Sequence, residues 1–238
     1  MNPKLLTLFS LYLVIICNSP TTIAQKGKSG TLDPKIYNLN EKNIKMAAKL
    51  MLYEQWTIAN IYHTDGTYHV GIPIKYDILE DYFKIKSPKG LSYLPGEEVK
   101  KFECVDPKTG LMESFVNNAY FKNSDINKGF LQILENGYFN LYKSTFIELT
   151  KGQQYIKIID ASIYFDDVER KDCFFIATDE NLKDLIPSKK GVSKNFEAFN
   201  IPVMSYIREA KLKTRNEEDL RKIIRYCNSQ AVMAENPN

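Results

Sequence analysis

Histidine is scarce in this chain: His63 and His69 are the only two in 238 residues. A Ser or Cys nucleophile would have only those two rings as conventional bases. There is no Gly-x-Ser-x-Gly elbow, no Cys-x-x-Cys pair, no His-Glu-x-x-His motif and no phosphate-cradling glycine loop ahead of a helix. With those signatures missing, no catalytic, cofactor-binding or metal-ligating residue is assigned, and the balance leans away from an enzyme. An excess of one charge is missing too, since 32 Lys and Arg stand against 29 Asp and Glu, a net +3. Near-balance removes the electrostatic reason to expect nucleic acid or an anionic membrane as partner. Cysteine is sparse as well, and beyond Cys17 only Cys104, Cys173 and Cys227 occur, too scattered for a disulfide framework or a metal knuckle. Cys104 shares a strand face with Phe102, Cys173 precedes Phe174 and Phe175, and Cys227 falls on a helical apolar stripe. All three read as small buried hydrophobes, with one disulfide and one spare thiol as the alternative in an oxidising compartment.

What the chain does have is a leader. Lys4, the apolar run from Leu5 to Cys17 and the small-residue site Thr22-Ile23-Ala24 form the pattern of a removable secretory signal over residues 1–24. The run is shorter than the roughly 20 residues a bilayer demands, and Asn18, Ser19 and Pro20 follow it in place of a basic stop-transfer flank. A lipoprotein signal acylated at Cys17 is the competing reading, and Ile16 stands where that pattern wants a small residue. The expected mature chain starts at Gln25, has no membrane span, and works in the periplasm, at the outer membrane or outside the cell. Loss of Lys4 leaves 31 basic against 29 acidic residues.

Residues 25–39 read as a polar linker. Residues 41–53, capped by Asn40, carry Ile44, Ala47, Ala48, Met51 and Leu52 at helical spacing. From Trp56 the period changes to 2, and Asp65-Gly66 marks a tight hairpin. A two-residue turn there pairs His63 with Tyr68, Ile61 with Val70, Ala59 with Ile72 and Thr57 with Ile74 on a core face. Tyr62 then meets His69, Asn60 meets Gly71, Ile58 meets Pro73 and Trp56 meets Lys75 on the other. Further strands are expected at 82–86, 91–94, 99–105 and 111–121. A second hairpin turns at Asn136-Gly137 between 130–134 and 138–142 and carries large apolar groups on both faces. Strands at 145–150 and 155–159 flank a turn at Lys151-Gly152-Gln153-Gln154, and 172–178 is the last strand. Short helical pieces follow at 181–186, 192–200 and 203–212. Then comes a clear helix: Asn216 caps it, Glu217, Glu218 and Asp219 suit its positive end, and Leu220, Ile223, Ile224 and Cys227 form the apolar stripe. The predicted class is α+β, mainly an antiparallel meander (curved sheet, sandwich or partly open barrel), with a helix-plus-sheet domain at 40–178, a helical segment at 179–230 packed on it, and a mobile tail at 231–238.

Several of these stretches together resemble a family of exported proteins from Bacteroidota, over residues 54–230. Trp56, the Asp65-Gly66 turn, Gly71-Ile-Pro-Ile-Lys-Tyr76, Asp81-Tyr-Phe-Lys-Ile85, the Asn136-Gly137 hairpin and the stretch from Glu217 to Tyr226 carry the likeness. The resemblance implies an envelope location and a β-rich fold with a helical tail, and it brings no site residues.

The sequence offers three candidate sites. In the two-residue register His63 and His69 leave opposite faces of the ribbon, which argues against a shared metal. Asp160, Asp166, Asp167 and Glu169 form the densest acidic cluster, the place for a carboxylate-based hydrolase and more simply a solvated loop. Trp56, Ile58 and Tyr62 share the outer face of the first hairpin as a partner surface, unless the helix at 41–53 covers them. The leading expectation is a non-enzymatic envelope protein, a binding or assembly module whose partner is another envelope protein. The alternative is a carrier of a small apolar ligand in a β-barrel-like cavity.

Overall fold

The computed structural model describes residues 47–122, 129–156 and 161–235, and for 151–156, 161–166 and 232–235 the backbone alone. The leader, the linker and the first half of the expected N-terminal helix lie outside the described residues. Ten antiparallel strands form one sheet in the order β10-β9-β8-β7-β6-β5-β1-β2-β3-β4, open at both edges and not closed into a barrel. They are β1 (Thr57–His63), β2 (Tyr68–Asp77), β3 (Tyr82–Ser87), β4 (Gly90–Pro95), β5 (Val99–Val105), β6 (Met112–Asn117), β7 (Phe130–Glu135), β8 (Asn140–Ile156), β9 (Ala161–Thr178) and β10 (Asn181–Asp184). Three α-helices follow: α1 (Lys189–Lys194), α2 (Val203–Glu209) and α3 (Glu217–Glu235). This is the expected α+β meander. No helix among the described residues is long and apolar enough to cross a membrane.

The first hairpin keeps the expected pairs at its base, Thr57 with Ile74, Ile58 with Pro73 and Ala59 with Ile72, and then departs from them. Beyond Ala59 the register slips by one, so Ile61 faces His69 and Tyr62 faces Tyr68. The extra residue is on β2, where Gly71 at φ +68° takes the left-handed backbone of a bulge and donates its N–H to Asn60 Oδ1 at 3.1 Å. The turn is correspondingly one residue longer than expected: His63 N–H donates to Thr67 O, enclosing Thr64, Asp65 and Gly66, with Gly66 at φ +88°.

Elsewhere tertiary pairing overrides local propensity. The expected turn at residues 151–154 is straight strand, because β8 pairs without a break with β9 from Asn140–Ala177 to Ile156–Ala161. Residues 181–184 form β10 and not a helical turn, paired with β9 so that Leu182 reaches the outer core. β6 stops at Asn117, whose side-chain oxygen takes the Ala119 N–H and starts a 3-10 turn. Residues 47–50 are helical, but Met51 already bridges to Asp77, so the N-terminal helix ends before residue 53. α3 continues through residues 231–235. Cys104 and Cys227 are buried, whereas Cys173 is exposed: strand alternation puts it on the outer face beyond the apolar cluster there. All three thiols are free.

Two cores share the inner face of the sheet. Over β1–β7, Phe102 stacks on Phe115 with centroids 4.5 Å apart and meets Phe83 and Phe130 edge-on at 5.0 Å each. Over β7–β9, Leu134, Leu141 and Ile176 pack against Val192 of α1, Val203 and Ile207 of α2, and the α3 stripe. A third cluster, Leu131, Tyr142, Phe175, Ala177 and Leu182, lies on the outer face, so β7 and β8 are covered on both sides as their sequence pattern requires.

The β7–β8 connection is wider than an Asn136-Gly137 turn because α3 intervenes. Asn228 Oδ1 accepts the Phe139 N–H at 2.7 Å and its Nδ2 donates to Phe139 O at 3.0 Å, standing in for a strand partner. Asn228→Ala should therefore cost about 1–3 kcal/mol in urea unfolding, the price of leaving a half-buried backbone pair unmet. Asn228→Asp, which keeps the acceptor and loses the donor, should cost less.

Candidate functional site

The bulge at Gly71 decides what each face of the first hairpin presents. On the outer face Trp56 is 39% and Ile58 50% exposed, and Tyr62 now faces Tyr68 with ring centroids 6.5 Å apart. The described part of the segment expected to cover them, residues 47–53, lies on the other face: Leu52 and Tyr53 pack on the inner aromatic core, and Lys49 reaches Val168 O on β9. The exposed face continues over β2–β4 through Val70, Leu91 and Tyr93. Lysines accompany the rings. Lys75 Nζ lies 5.7 Å from the Trp56 ring centroid, Lys84 Nζ 5.6 Å from Tyr82, and Lys101 Nζ 4.1 Å from Tyr62. Lys101 is answered by Glu103 at 3.4 Å, whereas Lys75, Lys84 and Lys86 have no carboxylate partner among the described residues.

On the inner face the same bulge brings the histidines together, against expectation. Their rings meet edge-on at 5.1 Å, with His63 Nε2 buried and without a hydrogen-bond partner and His69 exposed. No third His, Cys, Asp or Glu joins them as a metal cluster among the described residues. The acidic cluster is dispersed along β9. Asp167 lies 3.5 Å from Lys49, and Glu169 is 3.7 Å from Lys171. Asp160 and the Asp166 side chain lie outside the described residues.

A concavity, which sequence reasoning missed, crosses the inner face between the aromatic core and the helices. Its outer part, about 690 Å³, has Tyr53, Glu113, Lys143, Arg170 and Asp172 on its walls. A narrower part of about 180 Å³ lies against Phe115, Phe130 and Ile147, and both are bordered by Leu52, Gln132, Lys143 and Thr145. The floor is set by register: Phe115, Gln132, Lys143 and Phe174 are successive partners across β6–β9. Tyr53 donates its hydroxyl to Glu113, and burial, with that carboxylate, holds the Tyr53 pKa well above the usual phenol range. Below them the Cys104 thiol is pushed up to about 12, by burial first and then by the Glu113 charge, so it stays protonated and unreactive at neutral pH. The signal for this cleft was present in the sequence as the one polar side chain, Gln132, in the apolar run from Phe130 to Leu134. No family model, curated protein or solved structure matches the chain.

Proposed function

We propose that the chain is an exported, non-enzymatic binding module that docks an acidic segment of another envelope protein on the outer face of β1–β4. The observation that carries this reading is the exposed face itself, where rings and aliphatic groups alternate with lysines that have no carboxylate partner among the described residues. Ammonium groups held over rings present fixed positive charge, and an acidic partner completes it. Ile58, Val70 and Leu91 are aliphatic groups that a protein segment can bury and a sugar polymer uses poorly. β4 ends the sheet, so its outward backbone groups are open to an extended segment. Export rests on the leader pattern of residues 1–24 and on the resemblance to exported Bacteroidota proteins.

Poly-glutamate is a suitable probe, with polygalacturonate as the glycan arm. The mature chain should bind poly-glutamate in a salt-sensitive way, and Lys75→Glu/Lys84→Glu should weaken it roughly tenfold or more without lowering Tm. Binding of polygalacturonate alone would make the partner a glycan, and an unchanged affinity in the double variant would overturn the assignment to this face.

A further inference from the structure

The inner-face cleft is bordered by a polar side chain that no other described residue engages. Gln132 is 6% exposed, borders both parts of the cavity, and makes no side-chain hydrogen bond among the described residues. A carboxamide can make several hydrogen bonds, and with the rest of the side chain buried this one has only the cleft in which to find them. Its neighbours on the floor are already engaged. Lys143 pairs with Glu217 of α3 at 2.8 Å, and Glu113 takes the Tyr53 hydroxyl. Asp172 takes the Thr145 hydroxyl at 2.6 Å, and Arg170 donates to Met51 O and Leu52 O at 3.3 Å each. Each of these four side chains thus has an internal hydrogen-bonding partner, Glu54 and Lys108 stand exposed at the outer rim, and the unused hydrogen-bonding capacity deeper in the cleft belongs to a neutral amide.

We infer that the cleft is a binding site for a small neutral molecule with an apolar body and an amide or hydroxyl head, the head pairing with Gln132. The head must both donate and accept, since the carboxamide offers one of each in a plane. A neutral head leaves these bonds in place, whereas a charged one would compete for groups already bonded to Glu217, to the Tyr53 and Thr145 hydroxyls and to the backbone of residues 51–52. The body enters the narrower part, whose walls are Phe115, Phe130, Ile147 and Leu52. At about 180 Å³ that space suits a group near the size of a benzene ring, which an apolar cavity of about 150 Å³ admits. The wider part, at about 690 Å³, falls in the usual range for ligand sites and gives the head its route in.

Three probes separate the contributions: benzamide, benzyl alcohol and toluene, titrated into the mature chain by ligand-observed NMR. Benzamide or benzyl alcohol should bind more tightly than toluene, and whichever of the two binds better identifies the head. In Gln132→Met, which keeps the volume and removes the amide, the preferred polar probe should bind roughly tenfold more weakly, toluene should be unaffected, and Tm should not fall. The inference is overturned if toluene binds wild type as well as the polar probes do, if none binds at millimolar concentration, or if the variant binds benzamide and benzyl alcohol unchanged. It is equally overturned if Gln132→Met melts several degrees lower, because the amide would then be structural. Poly-glutamate binding should be the same in both proteins, so this site and the outer face fail or stand separately.

Discussion

Ile223→Asp should destabilise the whole protein, not merely loosen its last helix. Ile223 is fully buried in the stripe Leu220, Ile223, Ile224 and Cys227, which packs against Leu134, Leu141 and Ile176 of the sheet and Phe139 of the β7–β8 connection. An unpaired carboxylate there costs several kcal/mol, against a total stability of about 5–15 kcal/mol for a domain of this size. The stripe's destination is the chain's own sheet, so an unchanged melt with a lost partner, the result expected of a docking helix, should not occur. Ile223→Val, which removes one methyl group, should cost only about 0.5–1.5 kcal/mol. Burial raises the folded-state pKa of the introduced acid above its unfolded value, so the deficit relative to wild type should shrink as pH falls toward 4 and reach its full size at neutral pH. Denaturant unfolding at two pH values, read by far-UV circular dichroism, checks both the size and the sign.

Phe102→Ala is the second large effect, in the other inner-face core. Phe102 stacks on Phe115, meets Phe83 and Phe130 edge-on, and has Tyr76 at 5.8 Å, with no exposed surface of its own. Truncation leaves a void that five strands cannot close without distorting their pairing, and a loss of about 3–5 kcal/mol is expected. Phe102→Leu should lose less. Phe115→Ala in the Phe102→Ala background should cost less than it does alone, because its stacking partner has already gone. The single tryptophan, Trp56, sits beside β1, far along the sheet from α3, and so supplies a local probe. If the sheet unfolds as one unit, its fluorescence and the helical signal should move together in Ile223→Asp as well as in Phe102→Ala.

The sequence made some of this architecture readable and hid the rest for identifiable reasons. The period-2 pattern from Thr57 placed Ala59 and Ile61 on the core face correctly, and the i, i+3, i+4, i+7 stripe with Asn216 at its head located α3, where Asn216 Oδ1 does accept the Asp219 N–H at 3.0 Å. Those signals are local and redundant. Residues 151–154 and 181–184 misled because their turn-like or helix-like composition is overruled by β9, a partner that composition does not reveal. Trp56 and Ile58 were legible as outer-face residues, but their exposure depends on where residues 47–53 go, which is settled by contacts with β2 and β9. The cleft was least legible. Gln132 stood out within its strand, yet only the pairing of β6 through β9 places it on the same floor as Lys143.

The slip at Gly71 means that parity along the first hairpin is held by a single residue. Counted from the base, the odd positions of β1 point inward throughout, whereas on β2 inward-facing Ile72 and Ile74 are followed, past the bulge, by inward-facing His69. A chain of the same length with the bulge ironed out would pair Ile61 with Val70, Tyr62 with His69 and His63 with Tyr68, turning the tip of β2 inside out, whereas one lacking the extra residue would keep His69 inward and Tyr68 outward on a regular ladder. Selection on either surface of this hairpin is therefore also selection on the bulge, and replacing Gly71 by a β-branched residue, which disfavours its left-handed backbone, should be far less tolerated than replacing Val70.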